Sequence, residues 1–539
     1  MNSLDHYQQL ADQMLRQDAE KDRMMAAMEA MWQSRWQLPE EIAALRWMHK
    51  VISTDPHDAL RAGVRVLSGA DPRIKALPVG LGVDRQTPTE EVERALAGLF
   101  HQANRRRQAT VLRDILLSAL LYDEVVAQVV YLPHQIRALR AAGGNTRGLE
   151  AARRSGAFAV LVRNPRQVRV RYSDWMAEAV LYRQVMPVDD LVSFWGSHAK
   201  NVKRVQARDG RLRYASVYDY MDLEHRVVWA YLHEDPSLML PGEGVEGSAP
   251  PMEVIRQAHG LGFMPWVARV GGTTLAQTSA EQRIPLLYSV YKSGQWETQN
   301  VLETLMTSEV IAYAAAPRMK VEGATDQVEV DYGEPGRMAH VPPGHSLEPM
   351  DPPGLDASLA QIADRVSQRI GKSTVPRVLQ TGEFPSGTAF ATLNLITQSG
   401  LKSLAPYKDL AEKALEGILM QMLDWIALDG RPVLTYARRR DGAGEQVVLD
   451  PAKVDPSKLM LEVELTADVP ADQASRIEAA ATAVRELGYS RTRALEFIGE
   501  PAPSFVLEEA RLEQLAELEH QLTMEKLRVT LEKPPEELD

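Results

Sequence analysis

Two glycine-containing strings have the spacing that phosphate chemistry uses. Gly242-Glu-Gly-Val-Glu-Gly247 matches the G-x-G-x-x-G pattern, in which a strand-to-helix turn lays backbone N–H groups against a pyrophosphate. Here it stands between Pro241 and Ser248-Ala-Pro-Pro251, follows no strand pattern, opens no helix and would face the anion with two glutamates, so it reads as a loop. Gly371-Lys372-Ser373-Thr374 has the closing residues of a phosphate-binding loop. The glycine which that loop needs five residues earlier is Val366, inside a helical pattern, so Gly371 reads instead as a helix cap.

Metal and nucleophile chemistry find less still. The 12 histidines include no H-E-x-x-H pair, and His340 and His345 lie among Pro and Gly with no acidic ligand set beside them. Cysteine is absent, which removes disulfides, thiolate nucleophiles and cysteine-held zinc together. The carboxylates form no local motif for metal-assisted hydrolysis, which leaves open only a cluster assembled by folding. No catalytic residue, cofactor or metal is named, and the expectation is a chain that is not an enzyme. The basic run Arg105 to Arg107 reads as a solvated helix face.

A chain of 539 residues with 45% apolar and 25% charged residues exceeds one compact core and should fold as several packed modules. Its net charge of -12 argues against a protein that grips nucleic acid by neutralising phosphates. Met1 to Glu20 lack the apolar centre of a signal peptide, and no apolar run reaches the ~18 to 20 residues of a membrane span, so synthesis in a cytoplasm and no membrane partner are expected.

The elements that must position any site alternate between helical and strand patterns. One or two amphipathic helices are expected over Leu4 to Trp36, further helices start at Leu38-Pro39 and Asp55-Pro56, and one more runs from Thr89 to Tyr122. Val- and Tyr-rich segments follow at Val125 to Leu132, Phe158 to Val162, Val168 to Tyr172 and Ala179 to Val185, with Arg169 and Arg171 on a basic outer face. Pro236 to Pro251 is a loop. A long helix over Ala280 to Ala314 and a second over Ala357 to Ile370 bracket a small Gly-, Pro- and Val-rich module. A helix over Thr388 to Leu428 should be interrupted or kinked at Pro406, and its second half carries an apolar stripe from Leu415 to Ile426. Strands at Pro432 to Tyr436, Glu445 to Leu449 and Leu459 to Leu465 lead to an acidic helical C-terminus, with Leu512, Leu515, Leu518 and Leu522 on one face and a frayed end.

That order of elements resembles the portal (head-tail connector) proteins of tailed bacteriophages. Arg46-Trp-Met-His49 with Asp55-Pro-His-Asp-Ala-Leu60 resembles the family's helical entry, and Tyr218-Asp-Tyr-Met-Asp-Leu-Glu-His225 its wing strands. His259-Gly-Leu-Gly-Phe-Met-Pro265, Pro285-Leu-Leu287 and Asn300 are similar to its passage into the first stem helix. Ser386-Gly-Thr-Ala389 resembles the start of its tunnel helix.

The resemblance implies an α+β, multi-domain subunit: a wing at 1–280, stem helices at 281–314 and 356–374 around a clip at 315–355, and a tunnel loop at 375–386. A kinked tunnel helix at 387–430, wing-completing strands at 431–470 and a helical crown and tail at 471–539 complete it. It implies a homo-oligomeric ring of about twelve copies at a capsid vertex. Double-stranded DNA would pass through it for packaging, retention and ejection, and terminase, tail adaptor and capsid proteins would be its partners. Arg377, Gln380, Thr381, Glu383 and Phe384 would face the DNA channel, and Gly333, Gly336, His340, Gly344 and His345 would belong to the docking clip. The alternatives are an adaptor or capsid subunit of a virion, or a metal-dependent nuclease.

Overall fold

The computed structural model describes residues 3–44, 48–69, 71–79, 89–105, 109–134, 137, 156–173, 176–234, 250–272, 280–315, 319–322, 346–349, 357–375, 390–438, 444–466, 477, 480–486, 488–498 and 503–532. The helices are α1 (Leu4–Gln17), α2 (Ala19–Trp32), α3 (Glu40–Ala43), α4 (Asp55–Leu67), α5 (Thr89–Asn104), α6 (Val111–Tyr122), α7 (Val188–Trp195) and α8 (Lys200–Arg208). They continue as α9 (Tyr288–Ser293), α10 (Gln295–Ala315), α11 (Ala357–Ser373), α12 (Phe390–Asp429), α13 (Arg491–Ile498) and α14 (Pro503–Glu532). The strands are β1 (Arg73–Pro78), β2 (Glu124–Tyr131), β3 (Phe158–Arg163), β4 (Val168–Ser173), β5 (Met176–Pro187), β6 (Tyr214–Asp222) and β7 (His225–His233). After them come β8 (Met252–Ala258), β9 (Trp266–Val270), β10 (Met319–Glu322), β11 (Ser346–Pro349), β12 (Val433–Arg438), β13 (Gly444–Leu449) and β14 (Leu459–Glu464).

The fold is α+β, built on several antiparallel sheets. The largest has the order β4-β5-β6-β7-β8, and the alternation of its side chains makes it two-sided. Val228, Ala230 and Leu232 of β7 pack under α7 and α8, while Val227 and Trp229 meet Tyr7, Ala11 and Met14 of α1 on the opposite face. A three-stranded sheet, β3-β2-β9, forms the main core with α6 and α12. The expected stripe of α12 is buried there, from Leu415 through Ile418, Leu419 and Met422 to Ile426, and the Trp425 indole donates to the Val129 carbonyl at 3.1 Å. Strand β14 returns to pair with β1, and α12 holds its edge: Glu416 accepts from the Val463 N–H at 3.1 Å and Glu412 from that of Leu465 at 2.7 Å.

Several boundaries differ from the sequence reading, each for a local reason. The helix expected over Thr89 to Tyr122 is two, α5 and α6, with Asn104 accepting from the Val111 N–H and Thr110 capping Arg113. Of the basic run at their junction, Arg105 is described and the other two arginines lie outside the described residues. The helix expected from Ala280 starts at Tyr288, after Pro285, and breaks again at Gly294, whose φ of 61° is the left-handed conformation that glycine adopts without a Cβ clash. Gly371 is not the cap: α11 runs on to Ser373, and the Ser373 and Thr374 hydroxyls close the last turn by donating to the Ile370 carbonyl at 3.1 and 2.7 Å. Pro406 does not interrupt α12, which is continuous over 40 residues. The proline ring is exposed while Leu404, Tyr407 and Leu410 are buried, so its missing hydrogen bond falls on the solvent side of the helix. Arg169, expected on an outer face, is 2% exposed.

Candidate functional site

The expected channel residues Arg377, Gln380, Thr381, Glu383 and Phe384 lie outside the described residues, as do Gly333, Gly336, His340, Gly344 and His345 of the expected clip and the Gly242 to Gly247 string. What is described is the frame that carries them. Strands β10 and β11 pair antiparallel with Glu322 opposite Ser346, so the chain leaves for 323–345 and returns at adjacent points, between α10 and α11. The segment 376–389 departs from buried Val375, just past α11, and re-enters at the start of α12.

Helix α10 is anchored by a ladder that sequence reasoning missed. Asn300, Thr304 and Ser308 are each fully buried and four residues apart, hence one above another on a single face. The extended segment before α4 lies along that face. Its Ser53, Val51 and His49 N–H groups donate to Asn300 Oδ1 at 2.7 Å, Thr304 Oγ1 at 3.1 Å and Ser308 Oγ at 2.7 Å. Trp296 Nε1 adds a bond to the Ser53 carbonyl at 3.2 Å. Four residues of helix rise about 6 Å and two of strand about 6.6 Å, so side chains at i, i+4 and i+8 meet alternate residues of an extended chain. Three small polar residues at i, i+4 and i+8 of one helix were the available signal.

Beneath this lies a buried charge hub. Glu124, at the start of β2, is fully buried and accepts from Arg283 Nε at 2.6 Å and from Lys21 Nζ of α2 at 3.4 Å. Burial alone would raise its carboxyl, but the Arg283 and Lys21 cations outweigh that and hold it at about 2. The adjacent Asp123 goes the other way. It caps α6 in the left-handed conformation at φ 52°, accepts from the Ile284 N–H at 2.9 Å and is pushed up by burial to about 7. Tyr407 of α12 donates to the Ile284 carbonyl at 2.8 Å, so the segment leading into α9 is gripped from both sides. Arg169 donates to Asp22 of α2 and lies 3.7 Å from Asp18, and Glu29 of the same helix accepts from Tyr122 at 2.5 Å, from Asn164 at 2.6 Å and from Arg166. The hub thus ties α2, β2, β4 and the segment leading into α9 into one polar network. It orients backbone.

Among the described residues no group of three or more His, Asp or Glu side chains is placed to hold a metal ion, and no helix is long and apolar enough to cross a membrane. No protein-family model matches the chain, and no curated protein matches it. Solved structures similar to it include a chain in the neck of an empty GTA particle computed with C6 symmetry, 11% identical over 86% of this chain and 95% of that one, at a TM-score of 0.39. A chain in the neck of the native GTA particle computed with C12 symmetry is 11% identical over 87% and 95%, at a TM-score of 0.37. A chain in the virion of the native gene transfer agent (GTA) particle is 12% identical over 86% and 94%, at a TM-score of 0.38.

Proposed function

We propose that this chain is a ring-forming subunit of a phage-like virion, acting as its portal: a channel for double-stranded DNA at the capsid vertex, with the motor and later the tail adaptor docking on the clip. The observation that carries the reading is the stem pair α10 and α11. Asn300, Thr304 and Ser308 take up the buried face of α10, yet apolar side chains also lie outside that face, with Leu302, Leu305 and Met306 half-buried and Val310 and Ile311 50% and 37% exposed. Ile362 of α11 is 43% exposed. Exposed apolar side chains on two helices packed against each other mark a surface that a partner would cover. Repeated head-to-tail contacts that close into a ring would cover these faces.

The acidic balance of the chain suits a conduit, because each phosphate neutralised by a lysine or arginine adds salt-dependent affinity that a sliding duplex would feel as drag. The role is structural, with ATP hydrolysis supplied by the terminase. Electron micrographs of the purified chain test the reading. Closed rings with a central hole of roughly 20 to 40 Å, wide enough for a hydrated duplex, are expected. Val310→Lys with Ile362→Lys should leave the circular dichroism spectrum unchanged and abolish the rings. A monodisperse monomer across several salt concentrations, or rings that survive both lysines, would overturn it.

A further inference from the structure

Between α4, α6 and α11 lies an open cleft of about 1410 Å3. Its floor is apolar, from Trp32, Ala62, Val64, Leu117 and Ile370, and its rim carries Arg61, Arg65, Arg113 and Lys372. Asp55 in the wall accepts from Gln299 at 2.8 Å and Ser367 at 3.0 Å, and Asp58 from Thr54 at 3.0 Å, so the lining sets two carboxylates against four cations and stays cationic. His57 is bonded through Nδ1 to the Trp32 carbonyl. The side chains of Arg61, Arg113 and Lys372 are exposed and form no ion pair among the described residues. Small-molecule pockets span about 300 to 1,000 Å3, so this cleft is sized for a polymer segment with an apolar face and acidic flanks.

This chain carries such a segment. In α14, Glu508, Leu512, Leu515, Glu519 and Leu522 follow one another at spacings of four, three, four and three, which places them on one helix face. The three leucines are 49% to 62% exposed, and among the described residues the only element that α14 packs against substantially is α13. The interleaved glutamates make that face unsuitable for its own copy. A parallel pairing sets like charges opposite each other, and an antiparallel one that sets Leu512 against Leu515 brings Glu508 opposite Glu519. Leucines over an apolar floor and glutamates against a cationic rim satisfy both surfaces at once. We propose that the α4–α6–α11 cleft is a socket for the α14 helix of a second copy of this chain. Duplex DNA fits it less well, having no apolar face to lay on the floor.

The absence of cysteine makes the test direct. Full-length chains carrying Lys372→Cys and Glu519→Cys are mixed and treated with a short bismaleimide. A cross-linked heterodimer is expected on a denaturing gel, and it should be absent when Arg105→Cys replaces the cleft substitution. Arg61→Glu with Arg113→Glu in the first chain should lower the yield about tenfold, and Glu508→Arg in the second should recover part of it. No cross-link in the mixture overturns the proposal, and so does a link formed only within a chain carrying both substitutions. Protection of the Lys372→Cys thiol from maleimide by a duplex of about 30 base pairs, without any heterodimer, would assign the cleft to nucleic acid and overturn it as well. Rings that form without the cross-link sink the socket alone, and a cross-link between chains that never close into rings sinks the portal reading alone.

Discussion

Asp123 and Glu124 are neighbours in sequence that titrate in opposite senses, because one is buried with few cations and the other is buried between two. The Asp123 carboxyl is raised from 3.8 to about 7, so its contribution to stability is fully present below about 3.8 and is lost as pH rises to about 7. Glu124 is lowered from 4.5 to about 2, so its contribution is present above about 4.5 and is lost as pH falls toward 2. Asp123→Asn keeps an acceptor for the Ile284 N–H and tolerates the left-handed backbone. Between pH 4.5 and 8 the wild type should therefore lose on the order of 3 kcal/mol relative to this variant, read as urea midpoints at several pH values; equal slopes for the two proteins would refute the assignment. Burial likewise separates two arginines of one strand. Arg169 is paired with buried Asp22, whereas Arg171 meets Glu178 with both side chains over a third exposed. Arg169→Ala should cost about 3 to 5 kcal/mol by leaving a buried carboxylate without its partner, and Arg171→Ala no more than about 1 kcal/mol. Comparable losses in thermal unfolding would contradict this. The alternating pattern of Val168 to Tyr172 disclosed the strand but not the neighbour of each face, since the acids that claim Arg169 stand on α2, far away in sequence.

At the scale of elements, long periodic patterns were legible and their interruptions less so. The apolar stripe of α12 and the Val- and Tyr-rich strands were readable because helix and sheet each impose one period on the residues they bury. The extra turn of α11, the two-part helix α5 and α6, and the late start of α9 escaped because each depends on a single side chain bonding a backbone group, or on one proline. Passage of Pro406 through α12 depends on which face of the helix meets water, which only packing decides. Packing also fixes Gly98 in α5, where an added Cβ would stand 2.5 Å from Thr435 Oγ1 and 2.8 Å from the Tyr436 carbonyl oxygen. A backbone atom cannot rotate aside, so Gly98→Ala should destabilise by about 1 to 3 kcal/mol through separation of α5 from β12, measured as a lower urea midpoint. The ladder on α10 makes a different demand. Thr304→Val preserves shape but removes the partner of both the Val51 N–H and its carbonyl, at 3.1 and 3.2 Å. Amide exchange at Val51 should accelerate by an amount equivalent to about 1 to 3 kcal/mol while exchange in β2 is unchanged, and unaltered protection at Val51 would show that the ladder does not hold the segment.

For the whole molecule, the portal reading turns on two segments reached through rigid frames. The 323–345 segment departs from the β10–β11 pair between α10 and α11, which on the proposed function would be the stiff support that presents it. On the proposed function, deleting Gly333 to Gly344 should leave rings intact and abolish packaging; packaging by the deleted protein would remove the docking role. The segment following Val375 joins α11 to the 40-residue α12, which would place it at the narrow part of a channel lined by α12. Its Arg377 and Glu383 balance each other in charge, which keeps any contact with the duplex shallow. Glu383→Lys leaves Arg377 unopposed in every copy, and around a ring of about twelve this adds enough cations to neutralise several phosphates at once. Because that affinity falls steeply as counterions are added, the variant should package DNA slowly in low salt and partly recover as salt rises, with ring formation unaffected. Deleting Gln380 to Phe384 should impair packaging or retention at every salt concentration, since it removes the contact instead of strengthening it. DNA packaged per particle against ionic strength distinguishes the two. A Glu383→Lys protein whose packaging does not respond to salt, or a deletion that packages and retains DNA normally, would move this loop out of the channel.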